Sequence, residues 1–363
     1  MKVLRLILFP FSFFFGLAAW VRNLLFDRGI LRSREFPLPV ISVGNLTVGG
    51  AGKSPVTEYL IRLLKDRYRT ATLSRGYGRK TRGFRVVDTG STAAEAGDEP
   101  LQFKNKFPEI TVAVAEKRVE GLEQLRLHHD LIILDDAYQH RWVKPGFSVL
   151  LFDYHSLFRW QWFLPTGDLR EPWAGRKRAR CIVVTKSPVA LSAQERADAL
   201  ARIAPYPHQE IFFSHLEYAG LVPVQPGRNR DLTELTPETE VLLLTGIANP
   251  KPLISKLREH TGRIHHHAYP DHYTFTPKNI AKIAADFQDL KGPDKLIITT
   301  EKDLQRLKMP GIFEHLIRLP VYYLPVRAAF HQDEKGRFDQ LITSYVTQSL
   351  QHHGIHQETD RGL

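Results

Sequence analysis

Cysteine and methionine are scarce: the 363 residues hold one cysteine and two methionines. A single cysteine, Cys181, excludes an internal disulfide and a zinc site built on thiolates. Its apolar surroundings, residues 181–184, read as a buried strand, and a reducing cytosolic compartment fits. Long apolar runs are also few. Only residues 6–21 form an uncharged stretch of helical length, which excludes a polytopic membrane protein. There is no internal repeat and no low-complexity tract. With 43% hydrophobic and 25% charged residues the chain has the balance of a folded protein, so disordered and collagen-like classes fall away. Acidic residues are outnumbered, 39 Asp and Glu against 50 Lys and Arg, leaving a formal charge of +11. That surplus points to an anionic partner: phosphates, a nucleic acid or an acidic membrane surface.

The chain is long enough for two domains. Residues 1–28 read as a membrane-associated segment. Lys2 and Arg5 precede the apolar run, and Arg22 and Arg28 follow it. No small-x-small cleavage site follows, so a signal peptide is disfavoured. The run is shorter than the roughly 20 residues of a full span, and Pro10 is expected to disturb its helix. An aromatic-rich segment inserted in one leaflet, or a marginal span, is the expectation, with basic flanks on anionic headgroups. Residues 29–210 alternate apolar strands (70–73, 110–114, 131–134, 148–152, 181–185) with helical segments. This predicts a parallel sheet covered by helices. Prolines punctuate 211–240, which reads as a linker. A smaller α/β domain is expected over 241–345, and a polar tail over 346–363.

Between a strand at 36–44 and a helix at 55–67 lies Gly44-Asn45-Leu46-Thr47-Val48-Gly49-Gly50-Ala51-Gly52-Lys53-Ser54. This is where a phosphate-binding loop belongs. Glycines let backbone N–H groups wrap phosphates, the lysine reaches the β- and γ-phosphates, and the Ser54 hydroxyl ligates magnesium. The strict pattern has a glycine where Thr47 stands. ATP is the expected ligand of Thr47, Val48, Gly49, Gly50, Ala51, Gly52, Lys53 and Ser54, with Mg2+ beside it. A P-loop needs an acidic partner at the end of a neighbouring strand. The apolar run 131–134 followed by Asp135-Asp136 supplies one.

Taken in order, these segments resemble the tetraacyldisaccharide 4'-kinases, the lipid A 4'-kinases of Gram-negative bacteria. The resemblance is carried by the loop itself and by Ser74-Arg75-Gly76-Tyr77-Gly78-Arg79, Gly97-Asp98-Glu99-Pro100 and Asp135-Asp136-Ala137-Tyr138-Gln139-His140. It continues through Leu164-Pro165-Thr166-Gly167-Asp168-Leu169-Arg170-Glu171-Pro172, Gly246-Ile247-Ala248-Asn249-Pro250, Tyr269-Pro270-Asp271-His272-Tyr273-Thr274-Phe275 and Thr300-Glu301-Lys302-Asp303. Departures are small: Ser54 for the usual threonine, and Asp-Asp-Ala-Tyr for the commoner Asp-Asp-Gly-Leu. The resemblance implies ATP-dependent phosphorylation of the 4' hydroxyl of a tetraacylated glucosamine disaccharide 1-phosphate. It further implies a P-loop α/β/α domain joined by a two-stranded link to a smaller α/β/α domain, at the cytoplasmic face of the bacterial inner membrane. By the same resemblance Asp98 is the candidate base, with His272 and Asp271 beside it from across the cleft. Glu99, Asp135, Asp136 and Ser54 are candidates near magnesium. Arg75, Arg118 and Arg170 are candidates for substrate phosphates, and Tyr77 is a candidate for substrate contact, by the nucleotide or by the sugar.

The partners expected are this glycolipid and the inner-membrane surface, with no nucleic acid and no obligate protein partner. The alternative is a membrane-associated P-loop ATPase acting as a switch or motor, which has no need of the Asp98 turn or of His272. His265-His266-His267 read as solvated loop histidines, because neighbouring side chains of an extended segment cannot all meet one ion.

Overall fold

The computed structural model describes residues 7–309 and 311–354. Lys2, Arg5 and the end of the polar tail, 355–363, lie outside the described residues.

Among the described residues fourteen strands follow one another: β1 Val40–Asn45, β2 Thr70–Ser74, β3 Arg85–Val87, β4 Thr111–Val114, β5 Leu131–Asp135, β6 Phe147–Asp153, β7 Cys181–Thr185, β8 Glu210–Tyr218, β9 Val222–Pro223, β10 Glu240–Thr245, β11 Ile264–Ala268, β12 Lys295–Thr300, β13 Val321–Leu324 and β14 Val326–Phe330. Nine of them make one sheet in the order β14-β8-β7-β6-β1-β5-β2-β4-β3. It is parallel except at its two ends, where β3 and β14 run antiparallel to their neighbours. Both faces are covered, as a parallel sheet requires. Ile41, Val43, Leu131, Ile133, Val149 and Val183 face one side and pack on Val56, Leu60, Ile61 and Leu64 of the helix Lys53–Leu64. Alternate residues such as Ile132 and Leu134, or Leu150 and Ile182, face the other. The sheet reverses at β1, which has β5 on one side and β6 on the other. Ligands of open α/β sheets bind at such a switch point, outside the carboxyl ends of the strands. Register sets Asp135 of β5 opposite Val43, so the acidic strand end and the glycine loop leave the sheet at one place.

The smaller domain is a five-stranded sheet, β11-β10-β12-β13-β9, with helices on both faces. Leu242, Leu244 and Ile297 pack on Ile280, Ile283 and Phe287 of the helix Pro277–Asp289. Val241, Leu243 and Leu296 pack on Leu253 and Leu257 of the helix Lys251–Arg258.

The domain limits differ from those read off the sequence. Residues 210–218 are no linker: they are β8, inside the large sheet. The chain then returns from the smaller domain at Val326, where β14 pairs with β8. The helix Gln332–His352 lies on the large domain through Phe338, Ile342, Val346 and Leu350. These four positions follow the i, i+4 spacing of one helix face, and burying such side chains contributes roughly 1.5–3 kcal/mol each. Val346 and Leu350, read as part of a polar tail, therefore belong to the core of the first domain. The two crossings run side by side, with the Ala219 N–H donating to the Pro325 carbonyl at 3.0 Å.

The apolar N-terminal run is a helix, Phe9–Asp27. Pro10 does not break it, because it sits in the first turn, where its missing N–H has no intrahelical partner to lose. The three histidines are also not in a loop. They form most of β11, where His266 meets the Thr245 hydroxyl at 2.8 Å and His267 stands 3.3 Å from Asp286. Among the described residues no group of three or more His, Cys, Asp or Glu is arranged to hold a metal ion by itself.

Candidate active site

The loop after β1 is shaped by its glycines. Gly49 and Gly52 have φ of 101° and 77°, a left-handed region that side chains disfavour. Gly52 caps the helix that begins at Lys53. Thr47 explains the missing glycine of the strict pattern. It forms an antiparallel bridge to Leu169, flanked by bonds from the Val48 N–H to Asp168 O (2.7 Å) and from the Arg170 N–H to Leu46 O (2.8 Å). Extended, paired backbone there has no need of glycine. The loop is also held from β7: the Thr185 hydroxyl donates to Ala51 O at 2.8 Å, and Lys186 bonds both Gly50 O and the Asp153 carboxylate.

Lys53 points back along the loop, 3.2 Å from Asn45 Oδ1 and 3.6 Å from Asp136. Arg170 clamps Asp136 with two N–H groups, at 2.8 and 3.2 Å, and also reaches Asn45. Asp135 accepts from the Thr57 hydroxyl at 2.9 Å. Thr57 and Ser54 share one side of the helix, being three residues apart, so Asp135 is brought to the Ser54 side. The two aspartates are set apart electrostatically. Burial, with Asp136 beside it, pushes Asp135 up to about 7. Burial also opposes the charge of Asp136, but Lys53 and Arg170 outweigh it and bring this carboxyl down to about 2. One carboxylate is thus fixed as an anion by protein cations, while at its neighbour burial and Asp136 outweigh the pull of Lys53.

A second constellation faces this one. Gly97-Asp98-Glu99-Pro100 is not a free turn. Gly97 ends one short helix, and Asp98 opens the next, Asp98–Lys106. Gly97 is obligatory here: at φ 91°, ψ 159° a Cβ would lie 2.9 Å from the Tyr77 carbonyl. Asp98 is buried and meets two groups of the smaller domain, His272 Nδ1 at 3.0 Å and Arg306 Nε at 3.4 Å. Lys302 lies 3.1 Å from His272 Nε2, 2.9 Å from Glu99 and 3.4 Å from Asp271. An ammonium can only donate, so Nε2 is the acceptor there and Nδ1 carries the proton it gives to Asp98. Both contacts of Asp98 fall on Oδ2, which leaves Oδ1 to accept a further proton. Tyr77 packs against His272 with ring centroids 4.8 Å apart.

The two constellations line one cleft of about 870 Å³ between the domains. Val48, Gly49, Gly50, Ala51, Gly52, Lys53 and Ser54 form its floor. Arg75, Tyr77, Glu99, Arg118, Asp135, Asp136, Arg170, Asp271 and His272 form its walls. Two expected site residues stand off the surface: Thr47, engaged with Leu169, and Asp98, which lies behind His272. Arg118 is nearly buried. Its Nη1 donates to Glu116 O at 3.0 Å, its Nε has no partner, and burial with Arg75 nearby pushes it down to about 10.

Several contributors carry no signal of role in the sequence. Asn45 and Thr57 orient Lys53 and Asp135. Lys302 and Arg306 frame Asp98 and Glu99 from the other domain. Glu171, fully buried, accepts from Arg178 (2.9 Å), Asn23 (3.0 Å) and Gln139 (3.1 Å), while Gln139 also donates to Asn45 O. Asn45, Glu171 and Lys302 stand inside motifs of the family resemblance, which marks the segments but not these contacts.

The fold and this cleft define a P-loop nucleotide-binding protein of the phosphoryl-transfer kind: a glycine loop with its lysine, an acidic strand end, and a hydrogen-bonded aspartate–histidine pair across the cleft. A family model described as Tetraacyldisaccharide-1-P 4'-kinase matches residues 4–347. A tetraacyldisaccharide 4'-kinase of Bacteroides thetaiotaomicron is 42% identical over 354 residues, covering 94% of this chain and 93% of the relative. One from Flavobacterium johnsoniae is 43% identical over 356 residues, covering 97% and 100%. The crystal structure of an LpxK from Aquifex aeolicus in complex with ATP superimposes with a TM-score of 0.70 at 30% identity, over 94% of this chain and 99% of that one. The chain belongs to the tetraacyldisaccharide 4'-kinase family.

Proposed function

We propose that this protein transfers the γ-phosphoryl group of ATP to the 4' hydroxyl of a tetraacylated glucosamine disaccharide 1-phosphate in lipid A biosynthesis. The carrying observation is the opposition, in one cleft, of the Lys53 loop with Asp135 and Asp136 to the Asp98–His272 pair. The 4' oxygen forms a bond to the γ phosphorus, the bond to the β–γ bridging oxygen breaks, ADP leaves, and the hydroxyl proton passes to the Asp98–His272 pair. Lys53 neutralises charge building on the transferred group. Arg75, Tyr77 and Arg118, with the side of Arg170 that faces the cleft, are placed to hold sugar and phosphate oxygens.

The site fits a magnesium ion bound with nucleotide. Such an ion takes one or two protein oxygens and draws the rest from phosphates and water. Ser54 and Asp135 are the donors best placed, since Asp136 is taken by Arg170 and Glu99 by Lys302. When bound, the ion neutralises phosphate charge.

We further propose that the N-terminal helix lies in one leaflet at the cytoplasmic face of the inner membrane. Ser12 bonds Thr166, Gly16 abuts Phe163 and Asn23 bonds Glu171, so the helix is docked on its own domain over about 15 Å or more of its length. That docking disfavours a span. Phe11, Phe13, Phe14 and Trp20 remain on the open side. An ATPase acting as a switch, the alternative reading, gives the Asp98–His272 pair no task.

Incubation with γ-labelled ATP, magnesium and the disaccharide acceptor in detergent tests the assignment. Label in glycolipid supports it; label released only as inorganic phosphate overturns it.

A further inference from the structure

Helix Phe9–Asp27 is not the only apolar surface on its side of the molecule. Between β6 and Thr166 the chain makes an excursion whose tip carries Phe158, Trp160 and Trp162, 46%, 76% and 41% exposed. Large aromatic side chains left in water cost free energy unless something covers them. The excursion is firmly based. Leu157 is buried at its foot, Phe158 packs on Tyr154 at 5.4 Å, and the Gln161 amide donates to Ser156 O. It is also continuous with the helix. Phe9 packs edge-on against Trp162 at 5.2 Å, Trp162 lies 5.9 Å from Trp160, and a Cβ on Gly16 would come within 2.6 Å of the Phe163 ring. Exposed Arg159 sits among these aromatics.

We infer that the loop at 158–162 is a second membrane-contacting element, with Trp160 and Trp162 seated at the headgroup level of the lipid surface that receives the helix. The inference rests on the membrane reading of the helix. Three observations select lipid as the occupant. The aromatics continue the exposed Phe9, Phe13 and Phe14 side of the helix without a break. Indole rings prefer the interface, where the ring is sheltered and the N–H stays hydrated. Arg159 and the net charge of +11 complement anionic headgroups. The element also has a mechanical consequence. The same chain runs on through Thr166, bonded to Ser12, to Leu169, bridged to Thr47 beside the glycine loop. Two contacts with the surface, a helix and a loop, fix a tilt that one helix leaves free.

The test uses full-length protein retaining one tryptophan, either Trp160 or Trp20, with the other four replaced by phenylalanine. Vesicles are of phosphatidylethanolamine and phosphatidylglycerol, with and without brominated acyl chains. Quenching of both Trp160 and Trp20 by brominated lipid is expected. Quenching of Trp20 but not Trp160 overturns the loop and leaves the helix reading intact; quenching of neither overturns both. Trp160 emission already blue-shifted without lipid, and unquenched with it, means that a second copy of the chain covers the loop, and also overturns the inference. Trp160→Ser/Trp162→Ser in the otherwise native chain gives an independent measure. Co-flotation affinity should fall about tenfold or more, as expected for withdrawing two large aromatics from an interface. Unchanged flotation contradicts the inference.

Discussion

Replacing Asp98 by Asn keeps its shape and removes its basicity. A sugar hydroxyl is a weak nucleophile at neutral pH, and positioned general bases contribute about 10²–10⁴-fold. The expected fall in kcat is therefore on that order, about 2.7–5.5 kcal/mol. The KM for ATP should change little, because Asp98 makes its contacts with His272 and Arg306 and stands off the cleft surface. His272→Ala removes one hydrogen bond to that carboxylate, 3.0 Å long, while Arg306 stays 3.4 Å away. Hydrogen bonds to charged groups are worth about 1.5–3 kcal/mol, so a loss of roughly 10- to 150-fold in the same step is expected. On the proposal that the histidine acts through the aspartate, the double variant should be about as impaired as Asp98→Asn alone. The assay is initial-rate transfer of label from ATP to the detergent-solubilised acceptor, with ATP and acceptor varied separately. The outcome that refutes this ordering is specific. His272, not Asp98, lines the cleft. If His272→Ala costs more than Asp98→Asn, the imidazole meets the hydroxyl and Asp98 positions it. Fully multiplicative losses would show that the two do not act together.

Lys53→Ala should lower kcat by about 10²–10³-fold with an unchanged melting temperature, since the lysine serves developing charge and holds only Asn45 and Asp136 at rest; more than a tenth of normal activity would remove the loop from the mechanism. Glu171→Ala strips Arg178, Asn23 and Gln139 of a fully buried partner, so a destabilisation on the order of 3–5 kcal/mol is expected in thermal melts, with earlier proteolytic release of the N-terminal helix. His140 is pushed down to about 4 by burial and by Arg118, Arg75 and Arg22, so the unfolded chain takes up its proton first and stability falls as pH drops from about 6.5 toward 4; melting temperatures of His140→Gln should decline less than wild type over that window, and parallel curves would contradict the assignment.

The phosphate loop is legible because its signal is local: glycines between a strand and a helix, with a lysine at the turn. Even its irregularity has a readable cause only afterwards, since Thr47 is extended by pairing with Leu169, far along the chain. Parallel strands could be read for the same reason, as runs such as Leu131–Asp135 are buried on both faces and leave unbroken apolar stretches. What the residues do not encode locally is which strand pairs with which. β8 reads as a proline-bounded linker until β14 is found beside it, and the amphipathic helix Gln332–His352 closes the large domain although it follows the small one. The Asp98–His272 contact joins residues 174 positions apart, beyond any spacing rule, and only resemblance pointed to it. The histidines of β11 read as a loop because three polar residues in a row conceal an edge strand, whose period-two pattern needs an apolar alternate to be visible.

The glycine loop and the groups that dress Asp98 belong to different domains. Glu171 joins the N-terminal helix, through Asn23, to the P-loop strand, through Gln139 and Asn45. The N-terminal helix and the glycine loop are therefore linked by hydrogen bonds within the large domain. His272, Asp271, Lys302 and Arg306 come from the small domain, which is tied to the large one by two chain crossings and a few polar contacts. Lys106 bridges Glu58 of the P-loop helix to Glu301 at 2.8 and 2.7 Å, and Asn105 donates to Gln305 at 2.7 Å. Asp98 stands at this seam, on the large domain but dressed by small-domain groups. A change confined to the seam, such as Glu301→Gln, removes no direct contact of the Lys53 loop, and reaches its helix only through the Lys106–Glu58 pair. It bears instead on the alignment of His272 with Asp98. Loop substitutions are therefore expected to act on ATP affinity and transfer together, and substitutions at His272 or Arg306, which touch Asp98, chiefly on transfer.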